Sequence, residues 1–240
     1  MRKFMRTRAA SPPAPPPPLT KTNGVTNGVG SGPRHDDHST LTRYWDEPED
    51  AELWEDPDFP AAPSSLGDRR LAQRTVWLRP HEMCARPRFL GDTALDAGLP
   101  PARLEPEPDD QFALRWSVEE GELGGAALGC AAAALALTPR LLARAAPPHS
   151  FRAGYCGRFT FRFWVFGAWR DVAVDDRLPA RARRPLGAGC ALPDDFTLPL
   201  LEKAYAKLHG SYAALRGGSV ARALQELSGG VVQSFAPPRP

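Results

Sequence analysis

From Phe159 onward the chain alternates side by side: Phe159, Phe161, Phe163 and Val165 fall on one face, and Thr160, Arg162, Trp164 and Phe166 on the other. A period of two predicts a strand with one fully apolar face. Gly167-Ala168 offers a turn, and Trp169–Val174 a returning strand. The hairpin is expected to end in Asp175-Asp176-Arg177-Leu178-Pro179, where the proline stops the ladder. A helical period follows from Leu198 to Gly218, with Leu200, Leu201, Ala204, Tyr205 and Leu208 on one stripe and Gly210 as the stop. Ser219 is placed to cap a second helix that buries Val220, Ala223, Leu224 and Leu227 and ends at Gly229-Gly230. Upstream, the Ala/Leu-rich run around Cys130 has good helix propensity. These elements predict an α+β fold.

Composition narrows the picture. The 240 residues allow one or two domains, and 42% hydrophobic content allows a real core, but 27 prolines and 21 glycines leave much of the chain irregular. A net charge of +2 is too small for a nucleic-acid surface. No apolar run is long enough to span a bilayer, and residues 1–20 lack the apolar stretch of a secretory signal. Cys84, Cys130, Cys156 and Cys190 have no metal-ligand spacing, so they read as free thiols of a reducing cytosol.

Residues 1–45 read as a disordered tail: Ser11–Leu19 favours polyproline II and Thr22–Gly30 is a polar near-repeat. Arg2, Lys3, Arg6, Arg8 and Lys21 make its first part basic, which is compatible with mitochondrial targeting, although Pro12 and Pro13 leave little room for an amphipathic helix. Asp46–Asp58 reads as a solvated acidic segment, and residues 93–118 as an irregular insertion without a period.

Several strings carry a resemblance. LWEDPDFPAAPSSLG (Leu53–Gly67), VWLRPHEMCARPRFLGD (Val76–Asp92), WVFGAWRDVAVDDRLP (Trp164–Pro179), LLEKAYAKL followed by GSY (Leu200–Tyr212) and SGGVVQSF (Ser228–Phe235) resemble the calpain family of cysteine proteases. The LPLLEK and HGSY variants resemble atypical calpains without EF-hand domains. The resemblance implies the N-terminal half of a papain-like protease core, a helical plus β-hairpin subdomain over residues 46–237. The second protease subdomain is expected but absent from this chain.

Calpains place a nucleophilic cysteine at a helix N-terminus within Gln-Gly-x-x-Gly-Asp-Cys-Trp, where free amides and the helix dipole favour the thiolate. Aligned without a gap, Gly121 and Gly124 match that motif. Ala126 stands at the nucleophile position, Ala127 at the Trp, Gly125 at the Asp, and Glu120 at the Gln that would hold the oxyanion. Alanine supplies no nucleophile, and a carboxylate at Glu120 would repel an oxyanion. Cys130, one turn further on, is the alternative nucleophile, and reads more simply as a small core residue. The family's His and Asn lie in the second half of its core. Here the asparagines are Asn23 and Asn27, in the tail. Of the histidines, His35 and His38 lie in the tail, His81 and His149 in loop contexts, and His209 at a helix end in a structural role.

The resemblance also implies calcium. One acidic ligand position is Ser117 here and the other is Asp195, so calcium binding is expected to be weak or absent, with Asp194 and Asp195 a solvated turn. Arg181, Arg183 and Arg184 read as a solvated basic loop. By family the chain belongs with calcium-dependent cytoplasmic endopeptidases of limited proteolysis, and it is expected to be inactive as written. Two alternatives are a non-catalytic module that binds protein substrates or partners, and a truncated or misassembled form of an active calpain.

Overall fold

The computed structural model describes residues 52–90, 92, 116–152 and 154–235; the basic tail and residues 93–115 of the proposed insertion lie outside them. Three short helices, α1 (Pro63–Leu66), α2 (Arg69–Ala72) and α3 (Pro80–Met83), surround strand β1 (Val76–Leu78). Strand β2 (Val118–Glu119), α4 (Ala126–Ala136) and α5 (Pro139–Ala145) follow, then β3 (Arg158–Val165) and β4 (Ala168–Asp175). The short strands β5 (Leu178–Arg181), β6 (Arg184–Pro185) and β7 (Gly189–Cys190) lead to α6 (Thr197–His209), a 3-10 turn (Tyr212–Leu215) and α7 (Val220–Ser228). The fold is α+β, as expected.

The hairpin β3–β4 runs in register from Arg158↔Asp175 to Val165↔Ala168. Its turn falls at Phe166-Gly167, one residue earlier than expected, with φ of 52° and 74°. Two consecutive left-handed residues match the right-handed twist of the strands, which is why two-residue hairpins favour this turn. Phe159, Phe161 and Phe163 are buried. Phe159 meets Phe89 and Phe151 at centroid distances of 5.2 and 4.9 Å, and Phe163 meets Tyr205 of α6 at 5.5 Å. Pro179 ends the hairpin but not the strand character of the chain. It is the Cα partner of Trp77 in β1, and its carbonyl accepts from Leu186 N at 2.8 Å. A proline loses only a donor, so a short three-stranded sheet (β1-β5-β6) tolerates it.

Helix α6 departs further from expectation. Its apolar stripe is buried, but so is every residue from Thr197 to Ala206, including Glu202 and Lys203. Lys203 Nζ donates to Asp175 Oδ1 at 2.6 Å, and Lys207 Nζ reaches both carboxylate oxygens of Asp56 at 2.8 Å. Asp56 N in turn donates to Asp175 Oδ2 at 2.8 Å, so the end of the acidic segment is buried at 1% exposure and not solvated. Asp176 completes this set by accepting from Arg79 and from the Tyr155 hydroxyl. Buried ions are tolerated only when paired and hydrogen-bonded, and Asp56, Asp175, Asp176, Lys203 and Lys207 each have such partners.

Two further expectations need correction. The stretch read as insertion ends in regular structure: Trp116 is buried and Val118 lies in β2, paired with Cys190. In α7, Ala223 and Leu227 are buried as expected, Leu224 is half-buried, and Val220 is 41% exposed while Glu226 takes a buried place. Ser219 caps this helix by accepting from Arg222 N, and Gly229 closes it in the left-handed region.

Candidate functional site

The loop from Glu120 to Gly125 feeds directly into α4, whose N-cap is Gly125. Gly125 has no side chain with which to cap this end. Ala126 is the first helical residue. Glu120, Gly121, Gly124, Ala126 and Ala127 line one side of a cleft of about 420 Å³, and Arg216-Gly217-Gly218 line the other. The structure therefore brings the sequence-selected Glu120 and Ala126 together at one opening. A second cavity of about 320 Å³ shares Ala127 and Arg216–Gly218 and continues over Leu128, Leu215 and Ala223 to Tyr205 and His209.

Glycine is required behind this cleft for reasons of space. A Cβ on Gly121 would lie 2.1 Å from the carbonyl oxygen of Gly187, and Glu122 N donates to Leu186 O at 2.8 Å beside it. Gly124 holds φ of 90°, outside the range of ordinary side-chain residues. Gly125 and Gly187 flank the carboxyl of Glu202: Cβ atoms there would lie 1.9 and 2.0 Å from its two oxygens. Arg181 Nη1 meets Glu122 Oε1 at 2.7 Å in a solvent-exposed pair beside the cleft, and Arg183 and Arg184 of that basic loop are exposed.

Glu202 is the residue that the sequence reading missed. It is fully buried, Oε2 accepts from Ala188 N at 2.7 Å, and Oε1 has no well-aligned donor. Burial pushes its carboxyl up to about 7, against weaker lowering by the amides of Ala188 and Gly125. The folded state thus holds a proton that the unfolded chain gives up near 4.5. The stabilisation from this proton is fully present below 4.5 and is lost as pH rises through about 7. The loss is on the order of 3 kcal/mol. We expect urea unfolding of the native chain to show this decline between about pH 4.5 and 7, and a Glu202→Gln variant to lose that part of the slope. Parallel slopes in the two proteins would refute the assignment.

Cys130 does not sit where it was expected. It is exposed, on the face of α4 away from the buried Leu128, Ala131, Ala132 and Leu135, and it lines neither cavity. An alanine-rich helix is apolar all round, so its pattern cannot say which face is inside. Cys84, Cys156 and Cys190 are likewise free thiols, and burial raises Cys84 above its ordinary value.

The described histidines are held in structural contacts. His81 lies in α3, not a loop, with its ring 4.9 Å from Tyr155. His149 Nε2 lies 3.0 Å from Thr160 N, and burial lowers its proton affinity. His209 Nε2 meets Glu226 Oε2 at 3.1 Å and packs on Tyr205. Glu226 also accepts from the Tyr205 hydroxyl and from Arg222. Burial raises the Glu226 carboxyl, but these hydrogen bonds and the His209 charge outweigh it and hold it below the ordinary range. His209 borders the second cavity, with its ring committed to that group.

Asp195 is buried at 5% exposure, and its Oδ1 accepts from Thr197 N at 2.9 Å at the start of α6; it is not a solvated turn. Ser117 is exposed and brings no carboxylate. Among the described residues no three His, Cys, Asp or Glu side chains converge as a metal site.

The cleft thus joins the start of α4, its preceding glycines and the methyl group of Ala126. The family model described as "Calpain family cysteine protease" matches residues 54–239. This chain belongs to the calpain family. It is 42% identical over 186 residues to Calpain-12 of Homo sapiens, an alignment that covers 75% of this chain and 23% of that calpain. It is 35% identical over 229 residues to the Calpain-2 catalytic subunit of Mus musculus, covering 90% of this chain and 30% of that calpain. Calpain-A of Drosophila melanogaster is 40% identical over 185 residues, covering 76% of this chain and 20% of that calpain. The chain thus spans roughly a quarter of the length of these relatives. No helix among the described residues is long and apolar enough to cross a membrane.

Proposed function

We propose that this chain is a calpain-type unit that holds polypeptide in the cleft beside Ala126 and does not itself cleave it. The observation that carries the proposal is Ala126 at the first position of α4, lining the cleft together with Glu120. Hydrolysis there would need a thiolate at the helix start, and a methyl group cannot attack a carbonyl. Glu120, a carboxylate on the same opening, would oppose the negative charge that develops on a carbonyl oxygen. Without a nucleophile the acceleration falls by orders of magnitude. Calcium enters only as a condition to be varied, and the free thiols support an intracellular setting.

The test is hydrolysis of an unfolded protein substrate by the purified chain, with calcium and with chelator, beside Ala126→Cys and Cys130→Ser variants. No turnover by the native chain is expected under either condition. Calcium-dependent turnover that Cys130→Ser abolishes would overturn the proposal and move the nucleophile to Cys130. A second reading, that of part of an active calpain, draws on the 20–30% of relatives' length that the chain covers. A transcript with Gln and Cys codons at positions 120 and 126 would favour it.

A further inference from the structure

The β3–β4 tip presents an unusual combination. Phe166 is 98% exposed and holds φ of 52°, at a turn position that favours Asn or Gly. A bulky residue in that region is an outlier whose persistence invites a functional account. Immediately behind it Trp164 and Trp169 form a cross-strand pair at 5.7 Å, both half-buried. The guanidinium of Arg144 lies 5.5 Å from the Trp169 ring centre. Arg140, one turn earlier on α5, and Arg170, beside Trp169, are also exposed. None of these three arginines forms an ion pair among the described residues, whereas the nearest acid on the hairpin, Asp171, is matched by Arg162 at 2.8 Å. The chain after α7 reaches this end too: Gly229 packs on both tryptophans, and Val231 beyond it is 88% exposed.

We propose that this tip is a peripheral docking point for an anionic lipid surface, with Phe166 inserted at the headgroup boundary and Arg140, Arg144 and Arg170 on the phosphates. The charge is complementary, since unpaired cations border an apolar point and no free carboxylate on the hairpin opposes them. The shape also fits. A convex tip exposes a single ring, which a fluid interface admits without a preformed pocket, and tryptophan with arginine is the pairing that favours the headgroup layer. Basic side chains near such a surface each strengthen attachment.

The experiment uses the full chain with vesicles of phosphatidylcholine alone or with added phosphatidylserine. Cosedimentation is expected only with phosphatidylserine, and it should weaken with salt. Phe166→Ser should reduce partitioning by roughly tenfold to a hundredfold with an unchanged melting temperature, because the ring packs on nothing. Arg144→Gln with Arg170→Gln should reduce it as well. A Phe166→Trp variant should gain quenching by brominated lipid over the native chain. Cosedimentation without that gain would mean that the basic tail from Arg2 to Lys21 does the binding, and would overturn the proposal. So would absence of binding to either vesicle, which would leave the tip to a protein partner.

Discussion

Aspartate at Gly125, the residue at the matching calpain position, should destabilise this chain by about 3 kcal/mol or more, at the upper end of overpacking costs because a second buried carboxylate is added. Its Cβ would stand 1.9 Å from Glu202 Oε1. Glu202 has nowhere to retreat. Its other oxygen holds the amide of Ala188 at 2.7 Å, and Gly187 closes the far side. Urea unfolding near neutral pH measures the effect. Pairing Gly125→Asp with Glu202→Ala should recover a substantial part of the loss, since the double variant keeps one acid in the space that both would have shared. A single Gly125→Asp variant as stable as the native chain would show that the loop and Glu202 are freer than the structure has them. If the expected loss is found, glycine at 125 and glutamate at 202 are matched to each other. Restoring protease residues one at a time would then damage the fold before it restored a site.

Asp175→Ala should cost about 3–5 kcal/mol, the usual consequence of stranding a buried charge. Lys203 is buried with its ammonium on Asp175, and Arg177 and the amide of Asp56 share the same carboxylate. Burial pushes the Asp175 carboxyl up, yet Arg177 and Lys203 together hold it below the ordinary range. Burial likewise lowers the proton affinity of Lys203, against the pull of Asp175. Thermal or urea denaturation reads the cost, and a second substitution, Lys203→Met, should return part of it. A single-variant loss under about 1 kcal/mol would mean that water reaches Lys203 and that the pair is not buried in solution.

What could be read from the sequence was local. Phe159, Phe161 and Phe163 alternate, and alternation survives into structure because one sheet face is covered. The stripe of α6 was equally plain. The opposite face of α6 was not, because an amphipathic pattern assigns Glu202 and Lys203 to water. Their burial depends on partners supplied from Gly125, Asp175 and Ala188, whose arrival no period announces. Asp56 and Asp195 were misread for the same reason: each looked like part of a solvated acidic run, and each carboxylate accepts from nearby backbone amides, Asp58 and Phe59 for Asp56 and Thr197 for Asp195. At the site, the motif alignment put Glu120 and Ala126 on one loop and the structure places both on one cleft. The wall opposite them, Arg216-Gly217-Gly218, carries no chemistry that would mark it in a string.

The bond between Asp56 and Asp175 joins residues 119 positions apart, whereas the β3–β4 ladder closes over neighbouring residues. Loop closure makes the distant contact slow to form and the hairpin quick. We therefore expect the aromatic hairpin with α6 to form the folding nucleus and the leading segment to dock later, an order that the folding and unfolding rates of Phe161→Leu and Asp56→Asn variants would check. A chain built in that order resists unfolding through its last-formed strap: changes at Asp56 or Lys207 alter how fast the folded state is lost, while changes at Phe161 or Phe163 alter how fast it is gained.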